Sequence, residues 1–480
     1  MAGLGLFGAI EMARNSLASS RNATEVTGHN LANSSNPAYA RQRVQVESAP
    51  TLPTTIGPQG TGANVVAFQQ IRDKTLDKYL VSEKYLTGYY SSKLTTLQQG
   101  EARLGQILDR QALDPKSGNI QSTGLAERIT DFFNTFQSLS AAPTSNAERR
   151  LSVVSGQELA DRFQRAYERL DTLRTDINTE ITDSVAEVNR LLESTSKVSQ
   201  KISATETKDT GIANELRDQR QGYLEELAEF TDFAHTENSD GKMTLTVAGI
   251  EFIKDDALVG QYQTTTITPA PTPVQQGMTY IKSTNNPGLL SVTGGKIKGL
   301  IDARDDTIYV LLNEVDKVAS NLITEVNTVH AAGYDLSGNS SLDFFTGTGA
   351  SSIAVNATLI SDPRRIQASA FADEPGDNSV AKQIAGLAEK AITALNNVTF
   401  GENYSNAVAQ FGQAIANTET QLEAQQAVER LLLKQRDSIS GVSIDEEVTN
   451  MMIYQRAFQA SSRLISTIDT LLADVLNMKR

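Results

Sequence analysis

The sequence predicts a mainly α protein: long terminal coiled-coil helices, an inner antiparallel helical bundle and an inserted small antiparallel β domain. Three observations carry this prediction. Apolar residues recur at steps of three and four over long stretches at both ends and in the middle of the chain. Near Phe233 the texture changes to short alternating runs broken by prolines, and helical spacing returns after about residue 300. The chain has no tryptophan and only 6% aromatics, and it is rich in Ala, Ser, Thr, Asn and Gln, which suits long helices with thin seams.

The clearest element is the last helix, from Ser443 onward. Glu446 falls three residues after Ser443, the spacing of a capping box, in which the two side chains satisfy backbone N–H groups at the helix start. Asp445, Glu446 and Glu447 suit the positive end of the helix dipole, and Lys479 and Arg480 the negative end. Val448, Met451, Tyr454, Phe458, Ser461, Ile465, Ile468, Leu472 and Val475 then draw one apolar seam along a helix of about 50 Å. A single seam on a solvated helix requires a partner.

The opposite end of the chain supplies one. Leu6, Ile10, Ala13, Leu17, Thr24 and Leu31 form a weaker stripe, interrupted where Ser20 or Arg21 and Thr27 or Gly28 fill its turns. Small residues dominate, so a neighbouring backbone can approach closely while little apolar area is buried. The helix should end in Asn30-Leu31-Ala32-Asn33-Ser34-Ser35-Asn36-Pro37, because asparagine tolerates the left-handed cap and proline cannot continue a helix. Two readings follow: an ordinary intramolecular helix pair, or two ends that become ordered only within an assembly. The expected assembly interface comprises Leu6, Ile10, Ala13, Leu17, Leu31, Val448, Met451, Phe458, Ile465, Ile468, Leu472 and Val475.

Between these ends, Val44 and Val46 alternate with polar residues and predict a short strand or extended arm. Residues 48–62, with three prolines, predict a linker or irregular arm. Helical spacing resumes near Ile71 and runs through Leu94, Leu97, Leu104 and Leu108, until Asp114-Pro115-Lys116-Ser117-Gly118 breaks it. A helix over Leu125 to Leu139 ends at Pro143. The strongest inner coiled-coil pattern is Leu159, Phe163, Ala166, Leu170, Leu173 and Ile177, continuing toward Ile202 and interrupted at Thr210-Gly211. Another helix is expected from Leu216 to Phe230, and together these read as core faces of a bundle.

Strands are expected at 242–247, 250–253, 262–268 and 278–281, the first preceded by the turn Asn238-Ser239-Asp240-Gly241. Helices are expected through Ile308 to Val329, Val380 to Leu395 and Val408 to Leu432, separated by a glycine- and serine-rich stretch over 333–378. The predicted organisation is nested. Residues 1–62 plus 440–480 form the terminal coil and linker arm, 63–232 plus 300–439 the bundle, and 233–299 the inserted β domain.

With 43 basic and 57 acidic residues the formal charge is −14, so nucleic acid is a poor partner. No window approaches the ~18 apolar residues of a membrane span. The start of the chain lacks a basic segment followed by an apolar core, so no cleaved signal is expected. The absence of cysteine excludes disulfides and thiolate metal sites.

No catalytic constellation is found, and neither a cofactor nor a metal is expected. Gly3-Leu4-Gly5-Leu6-Phe7-Gly8 spells G-x-G-x-x-G, but only Met1-Ala2 precede it where a strand would be needed. Gly294-Gly295-Lys296 lacks the rest of a phosphate-binding loop. His29, His235 and His330 are far apart and read most simply as surface or capping residues. Adjacent residues on a helix diverge by about 100°, so Glu446 and Glu447 read as cap acids and not as a paired acid/base site.

The stretch Asn30, Leu31, Ala32, Asn33 through Pro37 and Tyr39 resembles the N-L-A-N-x-x-T-P-G-Y motif of bacterial flagellar rod, hook and hook-associated proteins. Tyr39, Arg41, Gln42 and Val44 continue it as Y-x-R-Q-x-V. The segment Gly441 to Glu447, then Tyr454 to Ser461, is similar to the closing segment of that family. Leu216 to Arg220, Gly294 to Lys296, Asp362-Pro363 and Gly376 to Asn378 fit the hook-associated protein 1 family in particular. Asn36 and Ala38 stand where Thr and Gly are usual, which puts the turn in question.

The resemblance implies an extracellular structural subunit, not an enzyme, at the hook–filament junction of the bacterial flagellum. It implies type III export without a cleaved signal peptide. Implied partners are further copies in a helical ring or tube, the hook protein, a second junction protein and an export chaperone on the C-terminal region. Two other readings remain at this level: another axial protein, or a coiled-coil adhesive or signalling module that binds through its β segment.

Overall fold

The computed structural model describes residues 5–54, 57–104, 112–113, 120–121, 124–206, 212–238 and 240–478. The breaks expected at Asp114 to Gly118 and Thr210-Gly211, the seam residue Leu108, and the dipole residues Lys479 and Arg480 lie outside them. The architecture is mainly α, 64% helical with small antiparallel sheets, as predicted.

Helix α1 (Gly5–Ala32) leads into an arm of strands β1 (Gln42–Ser48), β2 (Thr51–Thr54), β3 (Gly57–Gly60) and β4 (Ala63–Gln70). The stretch predicted as irregular is in fact paired. β2 meets β3 with Pro53 opposite Pro58, and β1 meets β4 from Gln42↔Gln70 to Ser48↔Ala63. Prolines are tolerated because each strand here is an edge. Residues 63–70, grouped with the bundle on sequence, thus belong to the arm.

The bundle opens with α2 (Lys74–Leu104), followed by the short pair β5 (Ala112–Leu113) and β6 (Ile120–Gln121), and then α3 (Leu125–Ala141). Its spine is α4 (Asn146–Thr205), 60 residues and about 90 Å long. Ser145 caps it by accepting from the Glu148 N–H. All six residues of the predicted inner seam, Leu159 to Ile177, are buried along it. Helix α5 (Asn214–Phe230) packs beside α4.

The β segment forms two antiparallel sheets, one ordered β10-β9-β8-β7 and the other β11-β12-β13. Their strands are β7 (Ala234–Glu237), β8 (Met243–Val247), β9 (Ile250–Lys254), β10 (Ala257–Leu258), β11 (Tyr262–Thr266), β12 (Thr279–Ser283) and β13 (Asn286–Leu289). β8 is buried at alternate positions, Met243, Leu245 and Val247, as its alternating sequence predicts.

Helix α6 (Gly295–Asp302) and a π-helical turn at Ala303–Ile308 precede α7 (Tyr309–Ala331). The π turn places Arg304 fully inside, between the β segment and α4. Its guanidinium donates to Asn178 Oδ1 and to the Thr279 carbonyl, both at 2.7 Å, and it pairs with Asp305 at 2.8 Å.

After the short pair β14 (Phe345–Thr346) and β15 (Ala354–Val355) come α8 (Ala357–Ser361) and α9 (Ser379–Gly386). The helix predicted to reach Leu395 stops at Gly386. In contrast, α10 (Phe400–Ser440) starts earlier than predicted, behind a complete Thr399/Glu402 capping box, and α11 (Ile444–Asn477) closes the fold. His330, expected as a surface or capping residue, is completely buried. Its Nδ1 lies 2.6 Å from the Leu342 carbonyl, and its Nε2 accepts from the Gln367 N–H.

One continuous core joins α2–α4, the β segment, α6, α7, α9 and α10, and it gathers Phe132, Phe133, Phe136, Phe344, Phe345 and Phe400. The few aromatics are thus concentrated where edge-to-face contact adds to burial. No residue of α1, the arm strands or α11 belongs to that core. The α1–α11 pair is held by contacts between its two helices and between α1 and the arm strands β1 and β4.

Candidate assembly interface

Helices α1 and α11 pair antiparallel and in register. Asn30 bonds Glu447 at one end, and the Ser16 and Ser461 hydroxyls meet at 2.9 Å fourteen residues further along each helix. Ala13 and Ile468 are buried in the seam, while Leu6, Ile10, Leu17, Leu31, Met451, Ile465 and Leu472 are half-buried. Three predicted seam residues face outward instead: Val448, Phe458 and Val475 are 43%, 37% and 54% exposed.

For Val448 the physical reason lies in α1. From Ser20 onward its buried residues are Ser20, Ala23, Val26, Thr27 and Asn30, mostly small or polar side chains that leave little area for large apolar partners. Residues Ile453, Leu464, Leu471, Val475 and Met478 form a second stripe on α11, roughly a quarter turn from the seam. They are between 39% and 85% exposed.

The motif residues meet at the base of this pair. Asn30 is 1% exposed and uses its whole amide. Its Nδ2 donates to the Gln42 carbonyl and to Glu447 Oε2, both at 2.9 Å, while its Oδ1 accepts from Tyr39 Oη at 2.8 Å and from the Gln42 N–H at 2.9 Å. Burial, with the nearby carboxylates Asp218, Glu215 and Glu447, holds the Tyr39 hydroxyl well above its ordinary pKa, so it remains a donor.

Arg41 completes the clasp. Its guanidinium reaches Glu447 at 2.6 Å and Glu446 at 3.1 Å, and its N–H donates to the Ser440 carbonyl at 2.9 Å. Charge-assisted bonds of this kind are the strong ones when buried, and Glu447 is 2% exposed. Gly441 allows the chain to turn here, since a Cβ would lie 2.3 Å from the Asp437 carbonyl oxygen.

Leu31 and Asn33 are half-buried, and Ala32 and Pro37 are exposed: they shape the turn without entering the clasp. The Asn36 side chain accepts from the Ala38 N–H at 3.1 Å, and Ala38 keeps a negative φ, so no glycine is required at that position. The predicted capping box is only half formed. Ser443 accepts from the Glu446 N–H at 3.5 Å, but the Glu446 carboxylate turns to Arg41.

Glu447, read as a cap acid in the closing segment, pairs with Asn30 and Arg41, which the sequence reading did not foresee. Its only local signal was a third acid in a helix's first turn, where one or two suffice. Among the described residues no group of side chains could hold a metal ion, and no helix is long and apolar enough to cross a membrane.

A paired set of end helices, excluded from the main core and clasped through this motif, defines a helical structural subunit whose two chain ends form one rod. Residues 112–345 match the flagellar hook-associated protein FlgK helical domain, and residues 434–478 match the flagellar basal body rod FlgEFG protein C-terminal family. Flagellar hook-associated protein 1 of Bacillus subtilis is 26% identical, with 98% of each chain covered. That of Salmonella typhimurium is 20% identical over 98% of this chain and 99% of its own. The solved structure of the flagellar hook junction protein FlgK from Burkholderia pseudomallei shares the fold, with TM-score 0.64 and 12% identity, over 75% of this chain and all of that one. The homologues of this chain are members of the flagellar hook-associated protein 1 family. That family consists of structural components of the flagellum.

Proposed function

We propose that this chain is a junction subunit between hook and filament and that it assembles through its paired α1 and α11 helices. The observation that carries the proposal is the second apolar stripe of α11. A helix already paired to α1 still exposes Ile453, Leu464, Leu471, Val475 and Met478, which neighbouring copies would cover. Contacts between successive copies that do not close on themselves generate a helical tube. The hook protein and a second junction protein lie at its two ends, and the subunit acts by geometry, without catalysis.

Residues 1–62 with 440–480 would be the polymerising part, with the bundle and the β segment 233–299 turned away from the axis. Export by the flagellar type III apparatus without a cleaved leader fits a chain without cysteine, in which no disulfide has to be undone. An export chaperone would cover the C-terminal apolar stripes until assembly. The test is to add purified protein to isolated hooks lacking it and image their tips. A cap of subunits is expected with the native chain and none with Ile465→Pro, which breaks α11 at a cost of ~3 kcal/mol or more. Binding along the hook shaft, or normal capping by the proline variant, contradicts the proposal. Loss of a separate binding activity on deleting 240–295, with capping intact, would favour an adhesive module.

A further inference from the structure

A cleft of about 560 Å³ lies where three parts of the molecule meet, and the assembly reading does not use it. Its walls are the end of the arm at Gln70 and Arg72, the first turns of α2, one face of α5, and strands β7 and β8. In a chain of formal charge −14, five cations line it, Arg72, Lys74, Lys78, Arg217 and Arg220, against two carboxylates, Asp77 and Glu237. Asp218 and Glu206 stand behind the wall and neutralise part of this. Arg72 binds Asp77 and Asp218, and Arg217 binds Glu206 and Glu237.

The other three cations have capacity to spare. Arg220 is 8% exposed, its Nη2 donates to Glu237 at 3.3 Å, and its Nη1 has no acceptor. A buried guanidinium N–H without a partner costs about 1–3 kcal/mol, so the position calls for an acceptor. Lys78, four residues into α2 and exposed, forms no ion pair among the described residues. Lys74 reaches only Glu237, at 3.8 Å, and is 80% exposed. His235, on the same wall, is pushed down to about 4 by burial and then by the Lys78 and Arg220 charges, with Glu237 opposing. Burial is the larger cause, and the two cations add to it.

We propose that this cleft binds a small oxyanion, a phosphoryl or carboxylate group, through Lys78, Arg220 and Lys74, bridging α2 and α5 beside the arm and the β segment. Cationic donors converging on a concave site favour such groups through charge-assisted bonds. Both Lys78 and Lys74 carry flexible stems that can close over the ligand from the α2 side. A bound anion would tie α2 to α5 and β7, so it stabilises the folded chain as any ligand of the native state does.

The test is a titration of the full chain with inorganic phosphate, and separately with citrate, at constant ionic strength. It is read by the ring resonances of the three histidines and by the melting temperature. The expected result is a saturable shift of His235 alone, with His29 and His330 still and the melting temperature raised. Lys78→Gln, on an exposed position, should weaken binding at least ~10-fold, the loss of one charge-assisted contact. Tighter binding of phosphate assigns a phosphoryl ligand, and tighter binding of citrate a carboxylate one. Arg220→Gln should abolish binding; should it disturb folding, Lys78→Gln decides. A shift that chloride reproduces at equal ionic strength, a shift that never saturates, or unchanged affinity in Lys78→Gln overturns the proposal.

Discussion

Asn30 and Glu447, 417 positions apart in the chain, share a buried hydrogen bond of 2.9 Å. That bond joins the end of α1 to the start of α11 and makes the two ends of the molecule one element. Every polar atom of the Asn30 amide is used there, so an isosteric change is a severe one. Asn30→Asp replaces a donor with a second carboxylate facing Glu447. We expect a loss of about 1–3 kcal/mol confined to the α1–α11 pair. Hydrogen exchange should show both helices loosened and the core around Phe132 unchanged. Adding Glu447→Gln, which restores a donor, should recover part of the loss in a double-mutant cycle.

The second stripe of α11 separates folding from assembly. Leu464 and Leu471 are 39% and 48% exposed, so Leu464→Ser with Leu471→Ser should change monomer stability by no more than about 0.5 kcal/mol per site. The same variant should fail to cap isolated hooks. Equal melting curves with normal capping would show that this face is not covered by a neighbour.

Arg304 fastens the β segment to the bundle from inside the π turn. Removing it in Arg304→Ala leaves Asp305 without its cation and Asn178 with one donor fewer, and breaking such a pair costs about 3–5 kcal/mol. Thermal unfolding should fall accordingly, and proteolysis should reach the segment 233–299 first.

The joint between arm and bundle is pH-sensitive. Burial raises the Asp218 carboxyl from 3.8 to about 6, although Arg72, the Ala40 N–H and Gln70 bond to it; Asp77 adds to the rise. The folded chain therefore holds a proton that the unfolded chain releases. This contribution to stability is fully present below the ordinary value of 3.8 and is lost as the pH rises to about 6. The span corresponds to about 3 kcal/mol. Asp218→Asn should flatten the dependence of melting temperature on pH in that window.

The long helices were legible because a seam repeated over many turns has a period that single residues cannot mask. The inner seam Leu159 to Ile177 is buried throughout α4. The α1–α11 pairing was legible for the same reason, but its exposed residues were not. Val448, Phe458 and Val475 fit the seam's spacing yet stay outside, and for Val448 the mostly small and polar buried residues of α1 near it supply the reason.

The clasp was visible as a motif and invisible as a contact, since its two halves are distant in the chain and Glu447 looks like any first-turn acid. The arm read as irregular because Pro53 and Pro58 are strong breakers, yet they fall opposite one another at edges that tolerate them. Nothing in Ala303 to Ile308 announces a π turn, which packing around Arg304 selects.

The most direct test of the central claim is hydrogen exchange of residues 5–32 and 444–477, measured in the dilute monomer and again in the assembled junction. These two helices share no core with the bundle, and neighbours would cover the second stripe. The account predicts fast exchange in the monomer, well ahead of α4, and strong protection on assembly. Protection as high in the monomer as in the assembly would contradict it.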